Sequence, residues 1–457
     1  MTFGIIGGGI SGLTAAYQLK SAGFEVILFE SSEHLGGKIH TIKKNKYAYD
    51  VGPNTVIENN NEFVDLIERL GLNNSKIKAD ESAATRFILS KGKLKALPTN
   101  PLSFLFGNFF SISTKLKILT EPFKKPVSEE ESVAGFFKRR FSKELVELVI
   151  NPFVAGTYAS RPEELSVEAG LFKRLKTLER EYGSIIKGFI QDAKKQKFIE
   201  KRYSGKMISF DNGIYRIIER LGEDLGDSIQ LHQTVSKIDL HSKYYTLHYG
   251  AAGKSKQIDL ESLIIATPAK EAASLFGKEV HLRKLSQTAT VPVAQVFFSF
   301  NPIEFTPQKG FGFLIPENEN AKILGAVFNS HVFPERYSNT VISVFIGGSR
   351  QPHLALLAKD ELEMLALTEL QRILGFAAKP KETESIQWRE AIPQYTVGYR
   401  ETLQEVEKFE EDYQGIYFCG NWKGAISVPD AIAEAIRTAN KAVAKFNSSS
   451  EKKVIHS

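Results

Sequence analysis

Residues 2–30 read TFGIIGGGISGLTAAYQLKSAGFEVILFE. The short apolar run Phe3 to Ile6 reads as a buried parallel strand. It is followed by Gly7-Gly8-Gly9-Ile10-Ser11-Gly12, spaced as G-x-G-x-x-G. A helical stretch then runs from Ser11 to about Ala22, with Leu13, Ala16, Tyr17 and Leu19 on its apolar side, and Gly23 ends it. A second strand, Glu25 to Phe29, closes on Glu30. In such a strand–helix–strand unit the first glycine makes the tight turn and the second lets backbone approach a pyrophosphate. The third lets the helix lie close to the strand. The helix N-terminus offers free N–H groups to the anion, and a carboxylate at the end of the second strand can take ribose hydroxyls. The stretch predicts an α/β chain with a Rossmann-like dinucleotide-binding domain.

The residues just beyond it narrow the cofactor. Ser31-Ser32-Glu33-His34-Leu35-Gly36-Gly37-Lys38 puts a glycine pair after the acid, and Gly52-Pro53-Asn54-Thr55 adds a second glycine turn. This run resembles the FAD-binding start of the flavin amine oxidase superfamily. The resemblance implies FAD rather than NAD, held by residues 7–12, Glu30, Ser31, Gly36, Gly37, Lys38, Gly52, Pro53, Asn54 and Thr55. Lys38 departs from the arginine or tryptophan that many relatives carry there.

Composition bounds the remainder. At 457 residues the chain calls for two or three domains. With 42% hydrophobic and 25% charged residues it is an ordinary globular chain and not a disordered one. A single cysteine, Cys419, excludes an internal disulfide framework and an all-cysteine metal site, and suits a reducing cytosol. The net charge of +6 favours an anionic substrate or an anionic membrane surface and is too small to indicate nucleic acid. The apolar start is taken up by the glycine fingerprint and carries no basic leader, so no secretory signal is read. No apolar run approaches the ~20 residues that span a bilayer. The expected location is cytoplasmic, with any membrane contact peripheral. The nine histidines form no metal-ligand spacing.

Along the chain, Asn61 to Gly71 reads as a helix, and two strands flank the turn Lys91-Gly92. Leu102 to Phe110 concentrates leucine and phenylalanine, followed by Lys115, Lys117, Lys124 and Lys125. Ser132 to Ile150, Phe172 to Arg202 and Met207 to Leu225 have helical periodicity. Strands are read at Ile229 to Leu240, Tyr244 to Tyr249 and Ser262 to Thr267, with a turn near 250–255. More strands are read between Pro292 and Ile346, then a helix at Leu354 to Leu374. A strand at Ile416 to Cys419 and a helix at Asp430 to Phe446 return to the Rossmann pattern. The expected organisation is an FAD-binding domain built from residues 1–84, 205–290 and 401–446. Residues 85–204 form a mostly helical insert with a candidate membrane contact, 291–400 a mixed-sheet substrate-binding domain, and 447–457 a polar, disordered tail.

Later motifs carry a more selective resemblance. Asn151-Pro152-Phe153-Val154-Ala155-Gly156-Thr157-Tyr158-Ala159, Gly310-Phe311-Gly312-Phe313-Leu314-Ile315-Pro316, Ile392-Pro393-Gln394-Tyr395 and Gly420-Asn421-Trp422-Lys423-Gly424-Ala425-Ile426-Ser427-Val428-Pro429-Asp430 together resemble the protoporphyrinogen and coproporphyrinogen oxidases, in family order across nearly the whole chain. The resemblance implies oxygen-using oxidation of a porphyrinogen in heme biosynthesis by successive two-electron steps, with hydride passing from a bridging carbon to the flavin. It places Gly420, Asn421, Ile426, Ser427 and Val428 against the flavin, Val235 against the adenine and Trp388 beside the ring. It implies that Phe311 and Leu314 line the substrate cavity, that Arg86 holds a propionate, and that Gly156 lets backbone approach the reacting carbon. It also places membrane attachment in the helical insert. Two other classes stay open: a flavin amine oxidase or polyene desaturase, and a non-enzymatic lipid-binding carrier of the same fold. The sequence leaves open whether the substrate carries two propionates or four, and the oligomeric state.

Overall fold

Strand β1 (Thr2–Ile6) is almost wholly buried, as expected of a short apolar run in a parallel sheet covered on both faces. In the computed structural model, which describes residues 2–44, 47–98, 101–195, 202–251, 254–277 and 282–455, β1 leads into helix α1 (Ile10–Ser21) and strand β2 (Glu25–Phe29). It pairs in parallel with β2 on one side and with the strand Ser262–Ile265 on the other. The five-stranded sheet runs Ile229–Gln230, β2, β1, Ser262–Ile265 and Ile416–Phe418. Leu13, Ala16 and Leu19 of α1 are fully buried in one core with Ile432, Ala435 and Ala439 of the helix Val428–Ile455. The last segment of the chain thus completes a layer begun by the first. A three-stranded antiparallel sheet, Thr234–Leu240, Tyr245–Gly250 and Lys256–Leu260, adjoins it in sequence.

Residue contacts divide the chain into two compact units. Unit 1 holds 1–76, 201–288 and 400–457, and unit 2 holds 77–200 and 289–399. Unit 2 therefore unites stretches that the sequence assigns to a separate insert and a separate substrate domain. The reason is strand pairing: Arg86–Ser90 runs parallel to Gly312–Leu314, with Arg86 opposite Gly312 and Ile88 opposite Leu314. The resulting seven-stranded sheet runs Glu382–Pro393, Thr290–Phe300, Thr340–Gly347, Gly325–Val327, Gly312–Leu314, Arg86–Ser90 and Lys93–Ala96. Its inner face buries Val296, Phe298, Phe300, Phe313, Phe328 and Ile342.

The helical part of unit 2 is held by charge as well as by apolar packing. Glu121, Arg140 and Glu179 are fully buried and Lys176 nearly so. Arg140 pairs with Glu121 and with Glu179. Lys176 donates to Glu131 and Glu179, and Arg139 closes the set on the same two acids. Glu121 also accepts from Ser184 Oγ at 2.6 Å and from the Ile185 N–H at 3.0 Å, at the start of the helix Ile185–Lys195. Burial alone would raise the Glu121 pKa. The Ser184 and Ile185 hydrogen bonds and Arg140 outweigh it and hold the carboxyl below its ordinary value.

Several local expectations change. The helix expected over Ser132 to Ile150 stops at Arg140. Ser142 then caps a new start through its Oγ to the Leu145 N–H, and the chain continues as a π-helical turn, Val146–Ile150. Met207–Phe210 is a strand and only Tyr215–Leu225 is helical. The strand Glu382–Pro393 and the helix Tyr399–Asp412 are not visible as apolar runs. The strand lies at a sheet edge and is largely half-exposed, so its sequence stays polar. The tail read as disordered is helical to Ile455, because the helix from Val428 propagates through residues that carry no breaker. The end of the helical pattern at 196–201 and the turn at 252–253 lie outside the described residues.

Candidate functional site

The cofactor cradle of unit 1 is built mostly from backbone. Gly7 has φ of +105°, the left-handed region that glycine alone enters freely. A Cβ on Gly12 would stand 1.9 Å from the Gly7 carbonyl oxygen, which fixes glycine as the price of α1 lying on β1. A Cβ on Gly9 would meet nothing within 4 Å, so this glycine is demanded by space outside the protein's own packing. Gly9 is also the N-cap of α1 and supplies no side-chain cap. The first-turn N–H groups, including those of Ile10 and Ser11, are thus left for an external acceptor.

Glu30 is buried beside them. Its Oε2 accepts the Gly8 N–H at 2.6 Å, and its Oε1 accepts the Ser32 N–H at 2.8 Å and hydroxyls of Ser31 and Ser32. Among the described residues Oε2 has this one partner and keeps a lone pair for a ribose hydroxyl. Gly36 donates to the Gly8 carbonyl at 2.8 Å, which brings the Gly36-Gly37-Lys38 turn onto the fingerprint loop. Gly52 packs with φ of +85° against the Lys38 carbonyl and carries Pro53, Asn54 and Thr55 with it. Gln233 donates its backbone N–H to the Glu30 carbonyl at 2.8 Å, which seats the strand holding buried Val235 next to the acid.

The C-terminal motif approaches the same sheet. Gly420 follows the strand Ile416–Phe418 with φ of +147°, and Asn421–Lys423 makes one turn. Trp422 is fully buried, and its Nε1 donates to the Thr267 carbonyl at 3.0 Å. The helix starts at Val428 rather than near Asp430. Ser427 Oγ accepts the Asp430 N–H at 3.2 Å and donates to its carboxylate at 2.6 Å. The Ser427 hydroxyl is therefore engaged, and the Val428 side chain lies in the core of unit 1. Ser427 Oγ keeps one free lone pair, and Ile426 is partly exposed. Cys419 is fully buried, and that burial pushes its thiol up to about 12, so it is inert as a nucleophile. The Thr267 Oγ1 and Gln233 Oε1 atoms are buried with no partner among the described residues. Orphaned polar atoms on residues that adjoin Gly7 and Glu30 fit a long polar cofactor such as FAD. Neither residue stands out in the sequence, since their neighbourhood is made only by folding.

In unit 2 the sequence-predicted residues come together in pairs. The Arg86 guanidinium sits over the Phe311 ring, 5.3 Å from its centroid. The Phe311 N–H donates to the Thr85 carbonyl at 2.8 Å, which holds the pair in register. Among the described residues Arg86 has no carboxylate partner. Crowding by protein atoms lowers its pKa from the ordinary arginine value, yet an exposed guanidinium stays charged at neutral pH. Gly156, on the helix Asn151–Tyr158, lies directly against Leu314: a Cβ there would be 2.5 Å from a Leu314 methyl. Trp388 lies opposite Val293 and packs, half-buried, against the cluster that includes Ala155 and Ala159. Unit 2 thus presents, among the described residues, an arginine without a carboxylate partner on an aromatic ring and, two residues further along the same strand pair, the Leu314–Gly156 contact, groups suited to an apolar ligand bearing carboxylates.

The Leu102 to Phe110 region divides. Phe109 and Phe110 pack edge to face, while Phe106 is 84% exposed. Leu102, Ile112, Leu116, Leu119 and Phe123 are exposed as well. Of the four lysines expected to line this surface, Lys115 donates to the Gly107 carbonyl at 2.7 Å. Lys124 caps the end of Val133–Arg140 through the carbonyls of Arg139 and Arg140. Lys117 and Lys125 remain exposed. Among the described residues no helix is long and apolar enough to cross a membrane, and no cluster of metal-ligating side chains occurs.

Residues 10–443 match the family of flavin-containing amine oxidoreductases. Protoporphyrinogen oxidase 2, chloroplastic/mitochondrial, of Arabidopsis thaliana is 32% identical over 98% of this chain and 95% of its own. Coproporphyrinogen III oxidase of Bacillus subtilis is 26% identical over 94% of this chain and 95% of its own. A crystal structure from Exiguobacterium sp. 255-15 has a TM-score of 0.82 at 24% identity, covering 96% of this chain and 98% of that one. Reduced UDP-galactopyranose mutase has the same fold, with a TM-score of 0.74 at 13% identity over 97% of this chain and 94% of that one.

Proposed function

The chain belongs to the protoporphyrinogen and coproporphyrinogen oxidase family within the flavin-containing amine oxidoreductases, and we propose that it oxidises a porphyrinogen to the porphyrin with oxygen as acceptor. It is an FAD-binding oxidoreductase, and bound FAD supplies the two-electron oxidation. The observation that carries the reading is Arg86: a guanidinium seated on Phe311, with no carboxylate partner among the described residues. A porphyrinogen offers the complement, a broad apolar ring with carboxylates at its edge. Arg86 would orient the ring through a propionate, Phe311 and Leu314 would frame it, and Gly156 would keep the wall flat where the reacting carbon sits. None of Arg86, Phe311, Leu314 and Gly156 is a general base, and hydride removal asks for positioning and water exclusion.

The deciding experiment mixes the oxidised holoprotein anaerobically with protoporphyrinogen IX and with coproporphyrinogen III and follows flavin bleaching. Bleaching by either supports the proposal, and the faster substrate names the class. No bleaching by either, with bleaching by an amine, would move the chain to the amine oxidases. A protein that is colourless and takes up no FAD would be a carrier.

The exposed apolar side chains between Leu102 and Phe123 support peripheral membrane contact as a second part of the proposal, with Phe106 and Phe123 as the deepest anchors. With two of the four lysines engaged inside the unit, apolar insertion outweighs charge, so binding should respond weakly to salt. Liposome flotation checks this. Phe106→Ser/Phe123→Ser should lose binding and retain FAD, and parent protein that stays in the soluble fraction with every vesicle composition would refute it.

A further inference from the structure

The segment Gly347-Gly348-Ser349-Arg350 carries none of the recognised motifs, yet it grips the Gly156 helix at both ends. At the N-terminal end, Arg350 Nη2 donates to Asn151 Oδ1 at 2.6 Å and to the Asn151 carbonyl at 3.0 Å. Arg350 Nη1 donates at 2.7 Å to the carbonyl of Ile315, the residue after Leu314. One planar guanidinium therefore ties the first residue of the helix bearing Gly156 to the strand bearing Leu314. At the C-terminal end, the Ser349 N–H donates to the Ala159 carbonyl at 2.7 Å. Ala159 is held at φ of +50°, uncommon for a residue with a Cβ. A Cβ on Gly348 would stand 2.2 Å from that same carbonyl oxygen.

Neighbouring groups brace the clamp. Asn151 Oδ1 also accepts the Glu317 N–H at 2.9 Å. Arg161 donates Nε to Glu317 at 2.8 Å and Nη1 to the Ser349 carbonyl at 3.0 Å. The π-helical turn Val146–Ile150 runs straight into Asn151, and such turns recur where an element is re-aimed for function. Arg350 Nε is buried with no partner among the described residues, so the guanidinium is placed for its two forked ends at the expense of its third donor. A cavity of about 110 Å³, lined by Ile315, Pro316, Glu317, Leu324, Gly347 and Arg350 among others, lies beside it.

We propose that Arg350 is a positioning residue for the oxidation, setting the spacing of the Gly156 helix against Leu314 through its hydrogen bonds to Asn151 and Ile315. This rests on the porphyrinogen reading for its consequence in turnover and stands apart from it as a statement about the helix. Arg350 touches no substrate in this scheme. Its loss lets the wall shift, and a displacement of about 1 Å far from the chemistry can slow a reaction about a hundredfold.

The test uses the FAD-loaded protein with Arg350→Ala and Arg350→Lys. In Arg350→Ala the turnover number should fall about thirtyfold to a hundredfold, while KM and FAD content hold, since Arg86 and unit 1 are untouched. Amides of 153–158 should exchange faster with deuterium. Millimolar guanidinium chloride, entering the cavity enlarged by the truncation, should restore both turnover and protection. Sodium chloride at equal ionic strength should not. Arg350→Lys, which keeps the charge and cannot fork to both acceptors, should fold and lie between. Unchanged exchange in 153–158 in either variant overturns the clamp. So does loss of turnover that guanidinium leaves unrestored, and so does a KM rise that accounts for the whole effect. If the parent oxidises no porphyrinogen, the functional reading fails, and the exchange and its rescue still judge the clamp.

Discussion

The cofactor cradle of unit 1 and the wall of unit 2 are made of different material. The cradle is backbone: glycines at 7, 9, 12, 36 and 52, N–H groups at a helix start, and one carboxylate, Glu30, all within the first 52 residues. The wall is side chains, namely Arg86 on Phe311, Gly156 under Leu314, and Arg350 across Asn151 and Ile315. It is drawn from segments far apart in the chain. A backbone site tolerates almost no added atom where it packs, and a side-chain site tolerates added atoms better than lost partners.

The sharpest way to break that contrast is a pair of glycine substitutions. Gly12→Ala should abolish FAD binding and unfold unit 1, because its Cβ would overlap the Gly7 oxygen at 1.9 Å. Gly9→Ala should fold with a near-parent melting temperature and still lose FAD, because its Cβ enters open space. Equal melting temperatures for the two apoproteins would contradict the account.

Next in size is Glu121→Gln. Removing one partner from a buried ion pair costs about 3–5 kcal/mol, read as an earlier unfolding step reported by unit 2. The same group gives a pH dependence. Burial works to raise the Glu121 and Glu131 pKa values, but their hydrogen bonds and cation partners leave both below the ordinary carboxyl value. The folded state thus binds fewer protons than the unfolded state. The stabilisation is complete above the ordinary glutamate pKa and is lost as pH falls below it through the folded value. Unit 2 should therefore melt progressively earlier as pH falls below the ordinary glutamate value, and Glu121→Gln should flatten that slope.

Glu30→Ala should weaken FAD retention by about 1.5–3 kcal/mol, the worth of hydrogen bonds to a charged group, measured by FAD release on dialysis. Retention equal to the parent's would remove Glu30 from the ribose site. Smallest is Arg86→Ala, which should raise KM for the porphyrinogen about tenfold, near 1.4 kcal/mol, with little change in turnover or FAD content. An unchanged KM would leave the wall without its cation.

The difference in material also explains what could be read from the sequence. Gly7 to Glu30 is contiguous and its spacing is dictated by geometry, so strand, helix, turn and acid are each legible within a residue or two. Arg86, Phe311, Leu314 and Gly156 are named only through resemblance, since no local spacing records that Arg86 will lie opposite Gly312 in a parallel pair. Arg350 and Asn151 as partners are invisible for the same reason. So is the strand Glu382–Pro393, whose edge position removes the apolar run that would announce it. Ser142 was readable as a cap, and the apolar spacing on either side of it hid the break.

The order of the five-stranded sheet also bears on how the chain is made. β1 can pair with β2 as soon as both leave the ribosome, but its other neighbour is Ser262–Ile265, and beyond that strand lies Ile416–Phe418. At synthesis rates of about 5–20 residues per second, the open edge of β1 waits on the order of 10–50 s for its partner. Through that interval the glycine loop and Glu30 have no completed sheet beneath them. Nascent chains should therefore acquire flavin only after the last segment emerges, and polypeptides halted before residue 416 should depend on chaperones to keep an unpaired hydrophobic strand from self-association.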